Sequence, residues 1–248
     1  ATPLPPSGDP ELSNLNFSGP NQVRAATNTV PLADDGTFNV FVQGGAHVLA
    51  DVTGYYTASD ATSDGRFTPV DPERAFDTRN AVGPTAPVTP SSPLTFDIDA
   101  ATSVPASGVS AVVLNVTSAR SAGGGFLEVR PGGSGVTGTS SVNFEAGPPV
   151  ANQVIVPIAS DGTVTFDAST STDLIVDVFG YFTDDTAEVS TTGLFVPVEP
   201  LRAVDTRVAP APEGNVGPDG SITVDAAEAL GIAPTDMIAV DATLAAIN

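Results

Sequence analysis

Short runs of β-branched and aromatic residues alternate with turn-forming residues along the whole chain. Such runs, bounded by Gly, Pro, Asn and Asp, are typical of strands in an all-β protein. Tight turns are predicted at "DDG" (34–36) and "SDG" (160–162), because Asp and Gly tolerate the backbone angles of short turns. The only helix-like stretch is 224–232, and its repeat equivalent, 97–105, is a poor helix; both are interpreted as strand ends followed by loops. The clearest predicted strands are 47–56, 111–119, 126–131, 152–158, 163–168 and 174–182.

The predicted strands belong to a unit that recurs along the chain. "PLADDGTFNV" begins at residue 31 and "PIASDGTVTF" begins at residue 157, a displacement of 126 residues. The stretch "PVDPERAFDTR" (69–79) likewise returns as "PVEPLRAVDTR" (197–207). Because matching blocks occur in the same order, the sequence indicates a tandem duplication. We therefore predict tandem β-sandwich modules, with small β-barrels as the alternative.

The chain begins and ends in the middle of a repeat. Residues 65–183 form a complete repeat, residues 1–57 match the C-terminal half of a repeat, and residues 193–248 match the N-terminal half. Half of a sandwich would expose apolar surface and unpaired strand edges, which folded proteins rarely leave open. We therefore expect each half to complete the other.

The two halves can pair within one chain or between neighbouring chains. The links 58–64 and 184–192 look too short to pass around a module whose chain ends lie at opposite poles. Pairing between chains is therefore favoured, which would build a filament head to tail by strand complementation. A third interpretation is that the chain is a segment of a longer array of repeats.

The charge and composition of the chain argue against several classes of function. It carries 29 acidic and 8 basic residues, and this formal net charge of −21 would repel nucleic acids and anionic membranes. All 8 basic residues are arginines, so Schiff-base chemistry and lysine–asparagine cross-links are excluded. Without cysteine there is no disulfide and no thiolate zinc site. No apolar run approaches the roughly 20 residues of a membrane-spanning helix.

The repeated arginine-rich stretch predicts a structural ion-pair corner. Arg74, Asp77 and Arg79 are spaced so that the carboxylate can accept hydrogen bonds from a flanking guanidinium. Because paired arginines are more often structural than catalytic, we interpret the cluster as a buried or semi-buried corner that holds two sheets together. The functional alternative is a site for an anion or a uronic acid. The predicted members in both repeats are Arg74, Asp77, Arg79, Arg202, Asp205, Arg207, Asp51 and Asp177.

The single histidine does not support a catalytic site. His47 has Asp173 as its repeat equivalent, and no Ser/His/Asp or His/His spacing surrounds it. We therefore interpret His47 as an ordinary strand residue and predict that the protein is not an enzyme.

Aromatic residues end the last strand of each repeat. Aromatic pairs can form a platform for sugars, but beside Gly54 and Gly180 they more often plug the end of a domain. These domain-end aromatics are Tyr55, Tyr56, Tyr181 and Phe182.

Acidic residues in loops raise the question of a bound metal. Calcium takes several carboxylate and carbonyl oxygens, but the chain contains no D-x-D-x-D-G loop and no glycine-rich calcium repeat. We interpret these residues as solvated turns and negative linkers, and predict no cofactor. A calcium ion that stiffens the linkers is the secondary interpretation, with Asp60, Asp64, Asp184 and Asp185 as its candidate ligands.

Several motifs that occur together resemble a known family. They are "SNLNF" (13–17), "HVLADVTGYY" (47–56), "AVVLNVT" (111–117), "ANQVIVPI" (151–158), "LIVDVFGYF" (174–182) and the "P-x-R-x-x-D-T-R" segments at 72–79 and 200–207. They are similar to the modules of roughly 120–130 residues found in tandem in secreted and cell-surface proteins of actinobacteria, some alongside peptidoglycan-hydrolysing domains. The resemblance spans nearly the whole chain. It implies a β-rich module, secreted or on the cell surface, and no particular activity.

The sequence thus predicts a non-enzymatic extracellular structural protein. It would serve as a tandem-repeat stalk or a filament subunit whose partners are copies of itself or adjacent repeats, without nucleic acid. The alternative is an adhesive or glycan-binding surface module. A general carbohydrate-binding face is disfavoured because the chain contains no tryptophan.

Overall fold

The computed structural model describes residues 23–57, 62–80, 82–136, 140–207, 214 and 216–247. Side chains are described for these residues except at 23–29, 31, 49–57, 197–201 and 243–247. The chain divides into two compact units. Unit 1 contains residues 1–62 and 189–248, and unit 2 contains residues 63–188.

Strands make up most of the described chain, which confirms the all-β class. The only α-helix among the described residues is the five-residue α1 (Ala226–Leu230), with a 3-10 turn at Pro234–Asp236. The strands are β1 (Val23–Pro31), β2 (Thr37–Thr57), β3 (Phe67–Asp77), β4 (Leu94–Asp97), β5 (Val109–Ala119), β6 (Gly125–Pro131), β7 (Val142–Phe144), β8 (Val150–Pro157), β9 (Thr163–Ala168), β10 (Asp173–Thr183), β11 (Leu194–Asp205), β12 (Val216–Asp225) and β13 (Ala239–Ile247).

Unit 2 is a sandwich of two antiparallel four-stranded sheets. One sheet has the order β3-β10-β5-β8 and the other has the order β4-β9-β6-β7. Alternate residues of both sheets face a common core, because side chains of a strand point to opposite faces. Phe76 of β3 and Phe166 of β9 meet edge to face across this core, with ring centroids 5.3 Å apart. Both side chains are fully buried.

Unit 1 is built from two distant segments of the chain. Its main sheet has the order β1-β13-β2-β11, and β12 pairs with the first half of β2. Each of the strand ladders described in unit 1 joins a strand of the first segment, β1 or β2, to a strand of the second, β11, β12 or β13. The core also mixes the segments, since Phe38 and Val42 pack with Ile222 and Val240.

The strand orders of the two units correspond. The 21-residue strand β2 spans the equivalents of β9 and β10, so β1-β13-β2-β11 in unit 1 matches β8-β5-β10-β3 in unit 2. The register corresponds as well, because Arg202 pairs with Asp51 as Arg74 pairs with Asp177.

The two terminal segments pair within the single chain, whereas the sequence favoured pairing between chains. That preference rested on chain ends at opposite poles of a module, and this assumption is wrong. Phe67 at the start of β3 pairs with Phe182 near the end of β10, and the Gly65 amide donates to the Thr183 carbonyl at 2.9 Å. The chain thus enters and leaves unit 2 at the same end. Short links then suffice to bring the two segments of unit 1 together, and pairing between chains stays a prediction.

The interpretation of 224–232 as a strand end and loop is wrong in part. Strand β12 ends at Asp225, whose side chain caps α1 by accepting from the Glu228 amide at 2.7 Å. Gly231 ends the helix in the left-handed conformation with φ of 67°. An aspartate cap and a glycine stop are sufficient to close one helical turn. The equivalent segment 97–105 forms turns after β4, as predicted.

None of the helices in the described part of the chain is long and apolar enough to cross a bilayer.

Candidate functional site

The repeated arginine and aspartate residues of unit 2 form one connected cluster. The pairing of β3 with β10 places Arg74 beside Asp177, next to an irregularity in the β10 register. Arg74 Nε donates to Asp177 Oδ1, and its Nη1 lies 3.3 Å from Asp77 Oδ2. Both carboxylates are 1% exposed, so the arginine bridges two buried charges.

Asp77 organises the loop that follows β3. Its Oδ1 accepts from the backbone amide of Arg79 at 3.0 Å and from Arg79 Nε at 2.9 Å. Its Oδ2 accepts from Arg79 Nη2 at 2.8 Å and from Asn80 Nδ2 at 3.0 Å. The carboxylate is therefore surrounded by donors from both sides of the turn, which fixes the direction in which the chain leaves the strand.

The two carboxylates have opposite pKa perturbations. The hydrogen bonds from Arg79 lower the pKa of Asp77 below its ordinary value, against a smaller desolvation effect. The pKa of Arg79 is raised in turn by Asp77. Burial raises the pKa of Asp177, and the hydrogen bond from Arg74 only partly opposes this effect. The charged form of Asp77 is thus stabilised, whereas burial destabilises the charged form of Asp177.

Unit 1 contains a more exposed copy of the cluster. Asp205 accepts from the Arg207 amide at 3.0 Å, from Arg207 Nε at 2.9 Å and from Nη2 at 2.7 Å. Arg202 Nη1 lies 3.3 Å from Asp205 Oδ2. The hydrogen bonds from Arg207 strongly lower the pKa of Asp205. The backbone register places Asp51 opposite Arg202, but the Asp51 side chain lies outside the described residues.

The contacts described for this cluster lie within one sheet, whereas the sequence predicted a corner that holds two sheets together. Arg74 and Asp177 lie on adjacent strands of one sheet, and Asp77 and Arg79 extend this contact into the following loop. The repeated motif therefore fixes the β3–β10 pairing and the turn beyond it. The prediction missed this because spacing along one strand does not reveal which strand is its neighbour.

Sequence reasoning missed the threonine of the same motif. The Thr78 hydroxyl donates to Asp173 Oδ1 at 2.7 Å and accepts from the Leu174 amide at 3.0 Å. In unit 1, Thr206 Oγ1 accepts from the Val48 amide at 3.2 Å. Both threonines are buried. Thr78 therefore ties the end of its motif to the start of β10, and Thr206 ties the end of its motif to the middle of β2. The recurrence of the "DTR" tripeptide in both repeats was the sequence signal that could have pointed to these two threonines.

His47 has a structural contact in unit 1. Its Nδ1 lies 3.4 Å from Thr206 Oγ1, where unit 2 has Asp173 and Thr78. Although the pair has the elements of a base and a nucleophile, the Thr206 side chain is fully buried and engaged with the backbone. A substrate could not reach its hydroxyl in this arrangement.

The domain-end aromatics of unit 2 pack inward. Tyr181 packs against the core, and the Phe182 ring lies 5.5 Å from the ring of the buried Phe67. Gly180 makes this packing feasible, because a Cβ atom there would lie 2.6 Å from Phe67 Cε2. These contacts fit a plug at the end of the domain. The side chains of Tyr55 and Tyr56 lie outside the described residues.

A second ion cluster in unit 2 was not predicted. Glu128 of β6 pairs directly with Asp167 of β9, and the Glu128 side chain is 1% exposed. Arg130 Nε lies 3.1 Å from Asp167 Oδ2 and 4.0 Å from Glu128 Oε1. Arg130 therefore offsets the repulsion between two facing carboxylates. Glu128 and Arg130 are close in sequence, but Asp167 is found only through the strand pairing.

The calcium candidates that the structure describes, Asp64, Asp184 and Asp185, do not converge on a site. Among the residues that the structure describes, no group of three or more His, Cys, Asp or Glu side chains could hold a metal ion. Asp184 Oδ1 accepts from the Thr186 amide at 2.8 Å and from its hydroxyl at 2.6 Å, which closes a local turn. Asp64 and Asp185 are exposed, and Asp60 lies outside the described residues.

Comparison of the chain with protein-family models, with curated proteins and with solved structures gave no match. The contacts of the clusters themselves are therefore the basis for a functional conclusion.

Proposed function

We propose that this chain is a non-enzymatic extracellular structural protein, a subunit of a tandem-repeat stalk or filament. Unit 1 provides the surface for assembly, because it is completed by strands from two separate segments of the chain. The partners are copies of the same chain, which exchange these segments head to tail. The resemblance to secreted actinobacterial modules supports an extracellular location.

The observation that carries the proposal is the pattern of strand pairing in unit 1. Its four ladders each join the first segment to the second, from Val23 opposite Ile247 to Thr57 opposite Leu194. Neither segment has a described ladder of its own. A second copy can offer the same strands in the same register, so the surface that closes a monomer is also suited to link two chains.

The repeated charged motif supports a structural role over a ligand site. In unit 2, Asp77 accepts from Arg79, Asn80 and Arg74, and Arg74 also donates to Asp177. These groups satisfy one another, so the motif orders its own strand and turn. An internal carboxylate already occupies the Nε and Nη2 donors of Arg79, which is the bidentate edge that an anion would favour.

Chain concentration decides which pairing forms. A segment tethered by short links meets its partner segment at an effective concentration of the order of millimolar, so the closed form dominates in dilute solution. Crowding of chains on a surface, or refolding at high concentration, shifts the balance toward exchange. The proposal therefore predicts a dilute monomer and a concentration-dependent assembly.

Two single-cysteine variants can detect the exchange directly, because the native chain contains no cysteine. Val30 of β1 lies opposite Val240 of β13, and both side chains face the unit 1 core. Val30→Cys and Val240→Cys chains would be mixed, unfolded, refolded at increasing concentration and oxidised. Exchange places the two introduced cysteines opposite each other in different chains, so a covalent heterodimer should accumulate with concentration.

The double variant with both substitutions in one chain is the matched control. It should form a cross-link within the monomer, which shows that the geometry permits a disulfide. Each single variant refolded alone measures background dimers. A mixture that stays at this background up to millimolar concentration, while the double variant cross-links, would overturn assembly by exchange.

A further inference from the structure

The loop between β3 and β4 has a composition unlike the rest of unit 2. Residues 82–93 read "VGPTAPVTPSSP", with a proline at every third position from Pro84 to Pro93. Two threonines and two serines lie between these prolines. Stretches rich in Ser, Thr and Pro are typical acceptors of O-linked sugars, because proline keeps the backbone extended and open to an enzyme.

The loop is held in place at its centre. Val88 is 1% exposed, and it exchanges backbone hydrogen bonds with Thr172 at 2.9 and 3.0 Å. At the start of the loop, Gly83 turns the chain with φ of 77°, where a Cβ atom would lie 3.1 Å from Phe76 Cβ. The stretch from Pro84 to Pro87 therefore lies between two fixed points, Gly83 and Val88.

The hydroxyl groups of this loop differ in availability. Thr85 is exposed, and in the described part of the chain its hydroxyl has no hydrogen-bond partner. Ser92 is also exposed, and its hydroxyl has no hydrogen-bond partner in the described part of the chain, but the backbone groups of Thr89 and Ser92 close a turn through hydrogen bonds of 3.3 and 3.0 Å. The Thr89 hydroxyl also lies 3.4 Å from that of Ser91. Thr85 is thus an exposed hydroxyl in an irregular segment between Pro84 and Pro87, outside the turn at Thr89–Ser92, where a transferase could reach it.

We propose that Thr85 is an O-glycosylation site that accepts a hexose from a nucleotide- or polyprenyl-phosphate-linked donor. The Thr85 oxygen forms a bond to the anomeric carbon, and the bond from that carbon to the donor phosphate oxygen breaks. The phosphate leaves with the electron pair, and the hydroxyl proton passes to a base of the transferase. This proposal rests on the proposed extracellular function.

The duplication provides an internal comparison. The "DTR" motifs are 128 residues apart, so residues 82–93 correspond to 210–221, which read "PAPEGNVGPDGS" and have Glu213 in place of Thr85. This stretch retains three prolines, and its one hydroxyl residue, Ser221, lies within strand β12 opposite Phe41. The proposal therefore assigns the modification to unit 2 alone.

The test compares the same chain secreted from an actinobacterial host and made in the cytoplasm of a host without O-glycosylation. Trypsin releases residues 80–120 as one peptide, because it cleaves after Arg79 and after Arg120 and no Arg or Lys lies between them. We expect the secreted peptide to be heavier by a whole number of hexoses, with the sugar placed on Thr85 by electron-transfer fragmentation. The cytoplasmic peptide should have the unmodified mass.

Two variants test the choice of residue. Thr85→Ala should abolish the added mass, while Thr85→Ser should retain it because serine supplies the same hydroxyl. Thr89→Ala is the matched control and should leave the modification unchanged. An unmodified secreted peptide, or a sugar that persists in Thr85→Ala, would overturn the proposal. The cysteine-exchange experiment uses unmodified protein, so failure of either proposal is recognised separately.

Discussion

The Thr78 hydroxyl donates a hydrogen bond to Asp173 Oδ1 at 2.7 Å, although the two residues are 95 positions apart in the sequence. The same oxygen accepts from the Leu174 amide at 3.0 Å. One buried side chain thus connects the turn after β3 to the first residues of β10. Thr206 occupies the corresponding place in unit 1 and accepts from the Val48 amide.

Replacing Thr78 by Val should destabilise unit 2. Valine has nearly the same shape but leaves the buried Leu174 amide and Asp173 Oδ1 without the hydroxyl, a loss of about 1–3 kcal/mol. Thr78→Ser is the control, because it keeps the hydroxyl and should lose less. The free energy of unfolding can be measured by urea denaturation followed by circular dichroism. Equal effects of the valine and serine variants would contradict the role given to the hydroxyl.

Asp77→Asn should destabilise unit 2 in a pH-dependent way. The variant weakens the charge-assisted hydrogen bonds from Arg79 and Arg74, and we expect a loss of about 2 kcal/mol near neutral pH. The pKa of Asp77 is lowered in the folded protein, so its contribution is complete above the ordinary carboxyl range. That contribution is lost as the pH falls below about 4, toward the lower folded pKa.

The measurement is the difference in free energy of unfolding between the native chain and Asp77→Asn from about pH 7 to pH 3. This difference should shrink on acidification. Asp177 contributes a pH dependence of stability with the opposite sign. Burial raises its pKa, so protonation of its carboxyl group on acidification favours the folded state. A difference that stays constant over the whole range would show that the ion pair does not contribute through the charge of Asp77.

Arg130→Met should be among the most damaging substitutions in unit 2. It removes the guanidinium between the buried Glu128 and the facing Asp167, and breaking a buried ion cluster destabilises by about 3–5 kcal/mol. Adding Asp167→Asn to this variant should recover part of the loss by removing one of the facing charges.

Arg120→Met provides the control for the loss of an arginine. The Arg120 side chain is 65% exposed and lies 4.0 Å from Asp173, so its removal should change the free energy of unfolding by less than about 1 kcal/mol. Thermal unfolding of the three variants tests the ranking. Similar melting temperatures for the Arg130 and Arg120 single variants would refute it.

Gly180→Ala should disrupt the domain end of unit 2. The new methyl group would lie 2.6 Å from two atoms of the Phe67 ring and from the Thr68 carbonyl oxygen. Since Phe67 is buried, the ring has little room to move, and overpacking of this kind destabilises by about 1–3 kcal/mol. Gly135→Ala, with no neighbour within 4 Å, is the control. Unfolding curves of the two variants that coincide would contradict the tight packing.

Much of the fold could be predicted from local patterns. The strand predicted at 163–168 coincides with β9, and the turn at 160–162 lies immediately before it. The short helix α1 was missed because its five residues are too few to show helical periodicity. The helix-like composition of 224–232 was one local signal, and its capping residues, Asp225 and Gly231, were another.

The candidate site could be predicted only where its members share a strand. Arg74, Asp77 and Arg79 contact one another at spacings of two and three residues. The contribution of Asp167 to the Arg130 cluster depends on strand pairing, which no spacing along the chain displays. Thr78 was overlooked for the same reason, because its partners lie on β10.

The sequence by itself determined the all-β class, the recurrence of similar sequence blocks and the charged motif, because these depend on the order and type of neighbouring residues. Only the tertiary structure decided which strands are neighbours. It placed Phe67 opposite Phe182, so that the chain leaves unit 2 where it entered and the two terminal segments can meet. The physical reason is that hydrogen-bonded pairing acts across space, and many chain paths are compatible with one pattern of apolar and polar residues.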